Sequence, residues 1–376
     1  MNGDRPGYVQ VYHAGAGMRW VQLGEDILGV GLGDLFGSSV SLSSAGNILA
    51  VGAFGDWQDR PAYVRVFELK GDNIGSNWHQ LGQDIDGESF GLKGLGDSFE
   101  VEIFVSLSDD GRTLAVGSNT NNANGTMSYN IRVYQNEGAE SNWTQLGQNF
   151  EIGSAIETPG LSVSLSADGS ALAIGSMHVA GSGNYIGRMS VYYIDTDGSS
   201  WRQLGKVIEC YPISYDWGLS VAISTHGNIV AIGAPAGLEE GDMAGYATVY
   251  HYTEMDGPTS GSWRRRGQKI HGEAPGDNFG ISVSLSEDGK TLAVGAISND
   301  GCGESSGHVR IYKIDDDPGS NWTQLGQDID GEASYDNSGF SVSLSADGET
   351  VAIGSVWNSD NGDYSGHVRV FSIAII

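Results

Sequence analysis

Apolar and polar residues alternate with a period of two in short phrases along the whole chain. In the phrase ISVSLS, Ile281, Val283 and Leu285 fall on one side and the serines on the other. Such alternation predicts a β-strand with one apolar face. The phrase occurs six times, with copies that end at Ser43, Ser108, Ser166, Ser224, Ser286 and Ser345. This self-similarity indicates a repeat protein built from strands.

Three further phrases complete each repeat. LAVGA and its cognates follow the serine phrase, and a Val-x-Val-aromatic run comes next, first at Tyr8. The phrase Trp-x-Gln-Leu-Gly ends the unit. Its copies begin at Trp20, Trp78, Trp143, Trp201 and Trp322, with a degraded copy at Trp263. Helical periodicity is absent, so each unit consists of four short strands.

Four short strands per unit, with a tight hairpin such as SADG between the first two, predict an all-β propeller of four-stranded antiparallel blades. Six blades are favoured because each serine phrase should form one innermost strand, and seven blades are the alternative. We expect a single domain over residues 1–376. Its units span approximately residues 30–87, 88–152, 153–210, 211–272, 273–331 and 332–376, with residues 1–29 as closing strands.

The two ends of the chain should close the propeller together. The last unit lacks only an outer strand, and the Trp20 strand can supply it. This arrangement leaves the phrase YVQVY at Tyr8 as one strand too many. In the alternative, the chain starts within a seventh repeat, because residues 2–11 (NGDRPGYVQV) align with residues 361–370 (NGDYSGHVRV).

Composition removes several classes of function. The chain has 47 acidic and 19 basic residues, a net charge of −28, so we expect it to repel nucleic acid. No apolar run is long enough to span a bilayer, and we expect no direct membrane insertion. No signal peptide opens the sequence. The sequence contains no nucleophile elbow, zinc-binding His-Glu-x-x-His or phosphate loop, so we expect no enzymatic activity.

The order of the phrases resembles FG-GAP repeats, which form the propellers of integrin α chains and of secreted bacterial and algal proteins. The matching residues are Phe36-Gly37 with Gly52-Ala53, and Phe279-Gly280 with Gly295-Ala296. Some copies depart from the pattern, for example Phe99-Glu100. The resemblance implies a secreted or cell-surface module for binding, adhesion or assembly, which acts on a protein or glycan, alone or as part of a larger assembly. The alternatives are a carbohydrate-binding propeller, calcium-assisted or not, and a glycan-active enzyme.

Calcium is the only cofactor that the sequence suggests. Calcium-binding repeats of this family hold the ion between the first two strands, but hairpins such as SADG are too short to supply six to eight oxygens. Any calcium should therefore lie in the long loops after the second strand. The candidate ligands are Asp300, Glu304, Asp360 and Asp363. The carboxylates of Asp328-Ile329-Asp330 are expected instead to mark the end of a strand before a turn.

The partner site is expected on the same long loops, because their sequences vary between copies while the strand phrases repeat. Aromatic, basic and acidic residues occur together there in the first and last units, as in interaction hot spots. The candidates are Trp57, Asp59, Arg60, Trp357, Asp360 and Tyr364. The repeated tryptophans are expected to fill the core, and His308 and His367 to be structural rings.

Overall fold

A computed structural model describes residues 7–15, 19–31, 33–54, 62–71, 76–86, 103–121, 127–138, 141–155, 161–179, 185–210, 219–235, 244–254, 261–317 and 319–373. The named elements in these ranges are all β-strands. No helix in the described ranges has the length and apolar character needed to cross a membrane. The chain divides into two compact units: Met1–Ile156 with Thr196–Ser200, and Glu157–Asp195 with Trp201–Ile376.

The first unit begins with four short strands, β1 (Tyr8–Val9), β2 (Tyr12–Ala14), β3 (Trp20–Gln22) and β4 (Ile27–Leu28). Strand β1 pairs with β4, and β2 pairs with β3. The prediction that Trp20 completes the last blade is therefore wrong, since its strand pairs locally. A bond from Gly15 N to Arg19 O closes the connection between β2 and β3, and closing so short a loop costs little entropy.

Six antiparallel sheets follow in chain order, one for each serine phrase. The first contains β5 (Ser39–Leu42), β6 (Ile48–Ala53), β7 (Tyr63–Lys70), β8 (Asn77–Gln80) and β9 (Ile85–Asp86). The second contains β10 (Ile103–Leu107), β11 (Thr113–Asn121), β12 (Met127–Gln135), β13 (Thr144–Gln145) and β14 (Phe150–Ala155). The third contains β15 (Ser162–Leu165), β16 (Ala171–Val179), β17 (Tyr185–Ile194), β18 (Trp201–Gln203) and β19 (Ile208–Cys210).

The remaining three sheets, like the third, belong to the second unit. The fourth contains β20 (Ser220–Ile223), β21 (Ile229–Ala234), β22 (Tyr246–Thr253), β23 (Ser262–Arg265) and β24 (Ile270–His271). The fifth contains β25 (Phe279–Leu285), β26 (Thr291–Ala296), β27 (His308–Lys313), β28 (Thr323–Gln324) and β29 (Ile329–Asp330). The sixth contains β30 (Ser338–Leu344), β31 (Thr350–Ser355) and β32 (His367–Ser372). These sheets are the blades of a six-bladed β-propeller, as predicted.

The outer position of a blade holds two short strands rather than one. In the first blade, β8 pairs with one half of the long strand β7, and β9 pairs with the other half. Gly82 lies between β8 and β9 with a φ of 76°, a backbone conformation that favours glycine. The phrase Trp-x-Gln-Leu-Gly-Gln-Asp therefore contains a strand, a glycine turn and the start of a second strand.

Adjacent blades pack through alternating large and small residues, as the sequence predicts. Every residue of β6 is buried, with Leu49 and Val51 on one face and Ala50 and Gly52 on the other. A Cβ at Gly52 would lie 2.7 Å from Cγ2 of Ile103, which starts the next blade's inner strand. The small face thus accepts bulky side chains of the following sheet.

The Phe-Gly and Gly-Ala pairs bring the backbones of neighbouring blades close together. In the second unit, a Cβ at Gly233 would lie 2.1 Å from the carbonyl oxygen of Gly280. Gly295 and Gly339 repeat this contact one blade later, at 2.2 Å. Only a residue without a side chain can occupy the glycine of the Gly-Ala pair, which explains why both pairs recur.

The predicted core packing of the repeated tryptophans is confirmed at four positions and is wrong at Trp20, which is 54% exposed. The side chains of Trp78, Trp143, Trp201 and Trp322 are buried. The indole Nε1 of Trp143 donates to Leu81 O at 2.9 Å, and that of Trp322 donates to Arg266 O at 2.8 Å. At Trp143 and Trp322 the buried indole therefore keeps its polar atom satisfied while it fills the space between sheets.

Candidate functional site

Two long loops of the second unit are described completely and carry most of the predicted site residues. Residues 297–307 connect β26 to β27, and residues 356–366 connect β31 to β32. Asp300 and Glu304 lie in the first loop, and Trp357, Asp360, Asp363 and Tyr364 lie in the second. Trp57, Asp59 and Arg60 lie outside the described residues.

A buried asparagine holds each loop in place. The side chain of Asn299 donates to Oδ2 of Asp277 at 3.1 Å, and its own oxygen accepts from Gly301 N at 2.9 Å. One blade later, Asn358 donates to Oδ2 of Asp336 at 3.1 Å. Asp277 and Asp336 are buried too, and both precede an inner strand. The loops are therefore fixed to the sheets by buried hydrogen bonds rather than open to solvent along their length.

The two predicted calcium ligands of the first loop already have partners. Oδ1 of Asp300 accepts from Ser305 N at 2.8 Å, which closes a turn within the loop. Oε2 of Glu304 accepts a short hydrogen bond from the hydroxyl of Tyr335. Neither acid belongs to a group of three or more potential metal ligands in the described ranges. Calcium at these residues stays a prediction.

The second loop exposes two of the predicted contact residues. Trp357 is 56% exposed and Tyr364 is 64% exposed. Tyr335, which precedes β30, is also exposed, and the sequence analysis did not select it. Tyr335 and Tyr364 have φ values of 67° and 53°, which bulky residues rarely adopt. Large aromatic side chains therefore reach solvent from a loop whose base is hydrogen-bonded.

Asp360 lies in a group of possible ligands that the sequence analysis only partly anticipated. One atom each from Glu332, Asp360 and His367 lies within 4.8 Å of the others. Nε2 of His367 is 3.5 Å from Oε2 of Glu332. Arg369 also approaches Glu332, at 3.7 Å. Of the four predicted calcium ligands, Asp360 alone joins such a group within the described residues.

The repeated Asp in Gln-Leu-Gly-Gln-Asp is part of an ion pair at a strand end. Asp328 accepts from Nε of Arg310 at 2.8 Å, from its second guanidinium nitrogen at 2.7 Å, and from Gln324 at 2.7 Å. In the first blade Asp84 accepts the same three bonds from Arg65 and Gln80. Burial alone would raise the pKa of Asp328, but the bonds from Arg310 and Gln324 hold that pKa below its usual value.

Asp328 also belongs to a second group, together with Glu273 and His308. One ligand atom from each of the three lies within 4.8 Å of the others. His308 is only 1% exposed, and neither of its ring nitrogens has a hydrogen-bond partner. The sequence analysis treated His308 as a structural ring and did not select Glu273. The repeated Gly-Glu-Ala at Glu273 and Glu332 is a signal that could have found both groups.

The acids of the short hairpins bind their own turns. In the second blade, Oδ1 of Asp110 accepts from the hydroxyl of Ser108 at 2.7 Å and from Arg112 N at 2.9 Å. The sixth blade repeats these bonds with Asp347, whose carboxylate accepts from Ser345 and Glu349 N. Each aspartate satisfies backbone and hydroxyl donors within its own short turn.

A family match supports the resemblance found in the sequence. Residues 272–312 match the FG-GAP repeat family. They cover the inner strand β25, β26 and most of β27, including Phe279-Gly280 and Gly295-Ala296. Together with the six antiparallel blades, this match supports an FG-GAP repeat β-propeller family for the chain. No curated protein has significant sequence similarity to it.

Solved structures share the fold at low sequence identity. A proposed 6-phosphogluconolactonase of Bacteroides uniformis has a TM-score of 0.59 and 13% identity, covering 99% of this chain and 94% of that one. A second proposed 6-phosphogluconolactonase, from Bacteroides fragilis, has a TM-score of 0.55 and 13% identity, covering 97% and 94%. At this identity the likeness extends to the fold alone.

Proposed function

We propose that the chain is a non-enzymatic, secreted or cell-surface module that binds a protein or glycan through its long-loop face. The observation that carries this proposal is the exposure of Trp357 and Tyr364 on a loop whose base is fixed by Asn358. Exposed aromatic side chains on a rigid support lose little entropy on binding and are enriched at interaction hot spots.

The chemistry of the loop indicates the partner's surface. Trp357 and Tyr364 flank Ser359, Asp360 and Asp363 within residues 356–366. Apolar area next to carboxylates suits a partner that combines an apolar or sugar face with basic or hydroxyl groups. A glycan could stack on the aromatic rings and donate hydroxyl hydrogen bonds to the acids, and a protein could offer Lys or Arg.

The proposal is tested with arrays of glycans and of secreted and surface proteins, probed with the whole chain. We expect a hit whose affinity falls at least about tenfold in a Trp357→Ala, Tyr364→Ala double variant, as hot-spot residues do. Trp20→Ala is the matched control, because Trp20 is 54% exposed and lies in the first unit. Binding that the control weakens as much as the double variant does would contradict the proposed site.

Two further measurements separate the alternatives. Glycan binding repeated with and without chelator shows whether calcium takes part. Incubation with the glycans that bind, followed by product analysis, tests the enzymatic alternative. Turnover of any bound glycan would contradict the non-enzymatic proposal, whereas a protein hit alone would support adhesion or assembly.

A further inference from the structure

His308 is a buried polar side chain without a hydrogen-bond partner. It begins β27, is 1% exposed, and neither Nδ1 nor Nε2 takes part in a hydrogen bond. Burial of an unsatisfied polar atom is unfavourable, so native proteins nearly always supply a partner, a water or an ion. The imidazole therefore points to a ligand.

The nearest polar atoms around His308 are carboxylate oxygens. Nδ1 lies 3.7 Å from Oδ2 of Asp328, and an oxygen of Glu273 completes a group within 4.8 Å. A separation of 3.7 Å is too long for a hydrogen bond. It is close to the roughly 3.4 Å between two ligands that share one tetrahedral zinc ion at 2.0–2.1 Å.

Arg310 already binds both carboxylates but leaves room for further bonds. Its guanidinium donates two bonds to Asp328 and contacts Oε1 of Glu273. Each carboxylate oxygen can accept two bonds, so Oδ2 of Asp328, which accepts one bond from Arg310, keeps one lone pair. Arg310 would then orient the two ligands from outside the first coordination sphere.

The local charge also favours a cation. Asp277 acts electrostatically on His308, in addition to Glu273 and Asp328. Three carboxylates against the single charge of Arg310 leave an excess of two negative charges, which a divalent ion would neutralise. The side chain of Glu273 is half exposed, so an ion can reach the group from solvent.

In the first blade, the side chain at the equivalent position forms a hydrogen bond to another protein residue. Tyr63 starts β7 in the register that His308 has in β27, opposite the last residue of the second strand. Its hydroxyl donates to Oδ2 of the buried Asp34 at 2.6 Å. In the fifth blade no such bond connects His308 to Asp277, the residue equivalent to Asp34. At this position the first blade therefore has a hydrogen bond to a buried aspartate, and the fifth blade has an imidazole whose nitrogens are free to bind a metal ion.

We propose that Glu273, His308 and Asp328 bind one divalent metal ion that accepts nitrogen and oxygen ligands together, for which Zn²⁺ is the best match. Mixed imidazole and carboxylate sets suit zinc, whereas calcium takes oxygen ligands alone. The ion would join three separate segments: the connection before β25, the start of β27, and the turn before β29. This site is independent of the partner site proposed above.

The experiment uses the whole chain after chelator treatment and dialysis. Calorimetric titration with Zn²⁺ should reveal a saturable site, and Co²⁺ in its place should give the visible absorption of a low-symmetry site. His308→Tyr should abolish this site, because it restores the residue found at the start of β7 in the first blade. Glu273→Gln should weaken the site about tenfold or more. His271→Gln is the matched control, since His271 is exposed and lies outside the group.

The similar group of Glu332, Asp360 and His367 is distinguished by the same variants. His367 is less buried than His308, and any ion bound there should persist in the His308→Tyr protein. Glu273→Gln alters only a half-exposed side chain, so it carries the test if His308→Tyr fails to fold, as judged by circular dichroism. Zinc binding that both variants leave unchanged, or the lack of any saturable site in the parent chain, would overturn the proposal.

Discussion

The first and fifth blades place different residues at one position with opposite results. Tyr63 and His308 both begin a third strand, and both are buried. Tyr63 donates to Asp34, whereas His308 has no hydrogen-bond partner. The blade architecture tolerates both, so strand pairing and sheet packing do not depend on this polar contact. Each blade can therefore carry its own chemistry at a position that the fold itself keeps constant.

The surroundings of the two positions differ as well. Asp34 is fully buried and accepts five hydrogen bonds, from Gly7 N, Val30 N, Gly31 N, Phe36 N and the hydroxyl of Tyr63. Asp277 accepts bonds from Ala274 N and Asn299. Burial would raise the pKa of Asp34, but the bonds from Tyr63 and the backbone outweigh it and lower that pKa. In the first blade, many hydrogen-bond donors thus converge on the single carboxylate of Asp34. In the fifth blade, Asp277 has fewer donors, and two further carboxylates, Glu273 and Asp328, lie near His308.

The largest effect is expected from Asp34→Asn. An amide keeps one acceptor oxygen and turns two N–H groups toward donors, so several buried amides lose their partner. We expect a loss of about 3 kcal/mol in the free energy of unfolding, measured with urea. Asp277→Asn is the comparison. It should cost about 1 kcal/mol, because Asp277 accepts bonds from only Ala274 N and Asn299, and fewer donors can lose their partner. Equal losses would show that the number of donors does not matter.

The next largest effect on the free energy of unfolding is expected from Arg310→Gln. It leaves Asp328 and Glu273 without their cation in a half-buried setting, so we expect a loss of about 2 kcal/mol. Arg65→Gln should cost less, because Arg65 pairs with Asp84 alone and is more exposed. Urea unfolding of each protein in the presence of chelator measures the free energy of unfolding. A larger effect of Arg65→Gln would mean that the second carboxylate does not add to the cost.

Exchanging the residues at the compared position should have opposite effects in the two blades. Tyr63→Phe removes one bond to a buried carboxylate and should cost about 1.5 kcal/mol. His308→Tyr removes two unsatisfied nitrogens and offers a hydroxyl toward Asp277, so the metal-free protein should be as stable as the parent chain or more stable. Thermal unfolding in chelator measures both. Clear destabilisation by His308→Tyr would mean that the imidazole has a structural role of its own.

The smallest effect concerns acid stability in the first blade. Because the pKa of Asp34 is lowered on folding, its contribution is complete well above the ordinary value of 3.8 and is lost as pH falls through the folded value. Tyr63→Phe removes a hydrogen bond that lowers this pKa, so its acid-unfolding midpoint should move slightly upward. Circular dichroism between neutral and strongly acidic pH measures the midpoint. A downward shift would contradict the assignment of Tyr63 as a stabilising donor.

The repeated phrases predicted the strands, the six inner strands and the buried tryptophans, because each blade meets similar neighbours. They did not predict that Gly82 divides the outer position into two strands. They also suggested that Trp20 would pair at the other end of the chain, whereas it pairs with the nearby Tyr12–Ala14. Periodicity identifies which residues form strands, but the choice between a near and a distant partner depends on loop closure, which a pattern does not contain.

The candidate sites divide in the same way. The sequence alone selected Trp357, Asp360 and Tyr364, since residues that vary between otherwise constant copies are free of packing constraints. Glu273, His308 and Asp328 are 20 or more positions apart in the chain. Sequence alone therefore determined the repeat, the strand faces and the exposed loops, all of which follow from local alternation. Only the tertiary structure brought Glu273, His308 and Asp328 together and left the imidazole of His308 buried without a hydrogen-bond partner. Both features depend on how neighbouring strands and their connections pack, which local alternation does not specify.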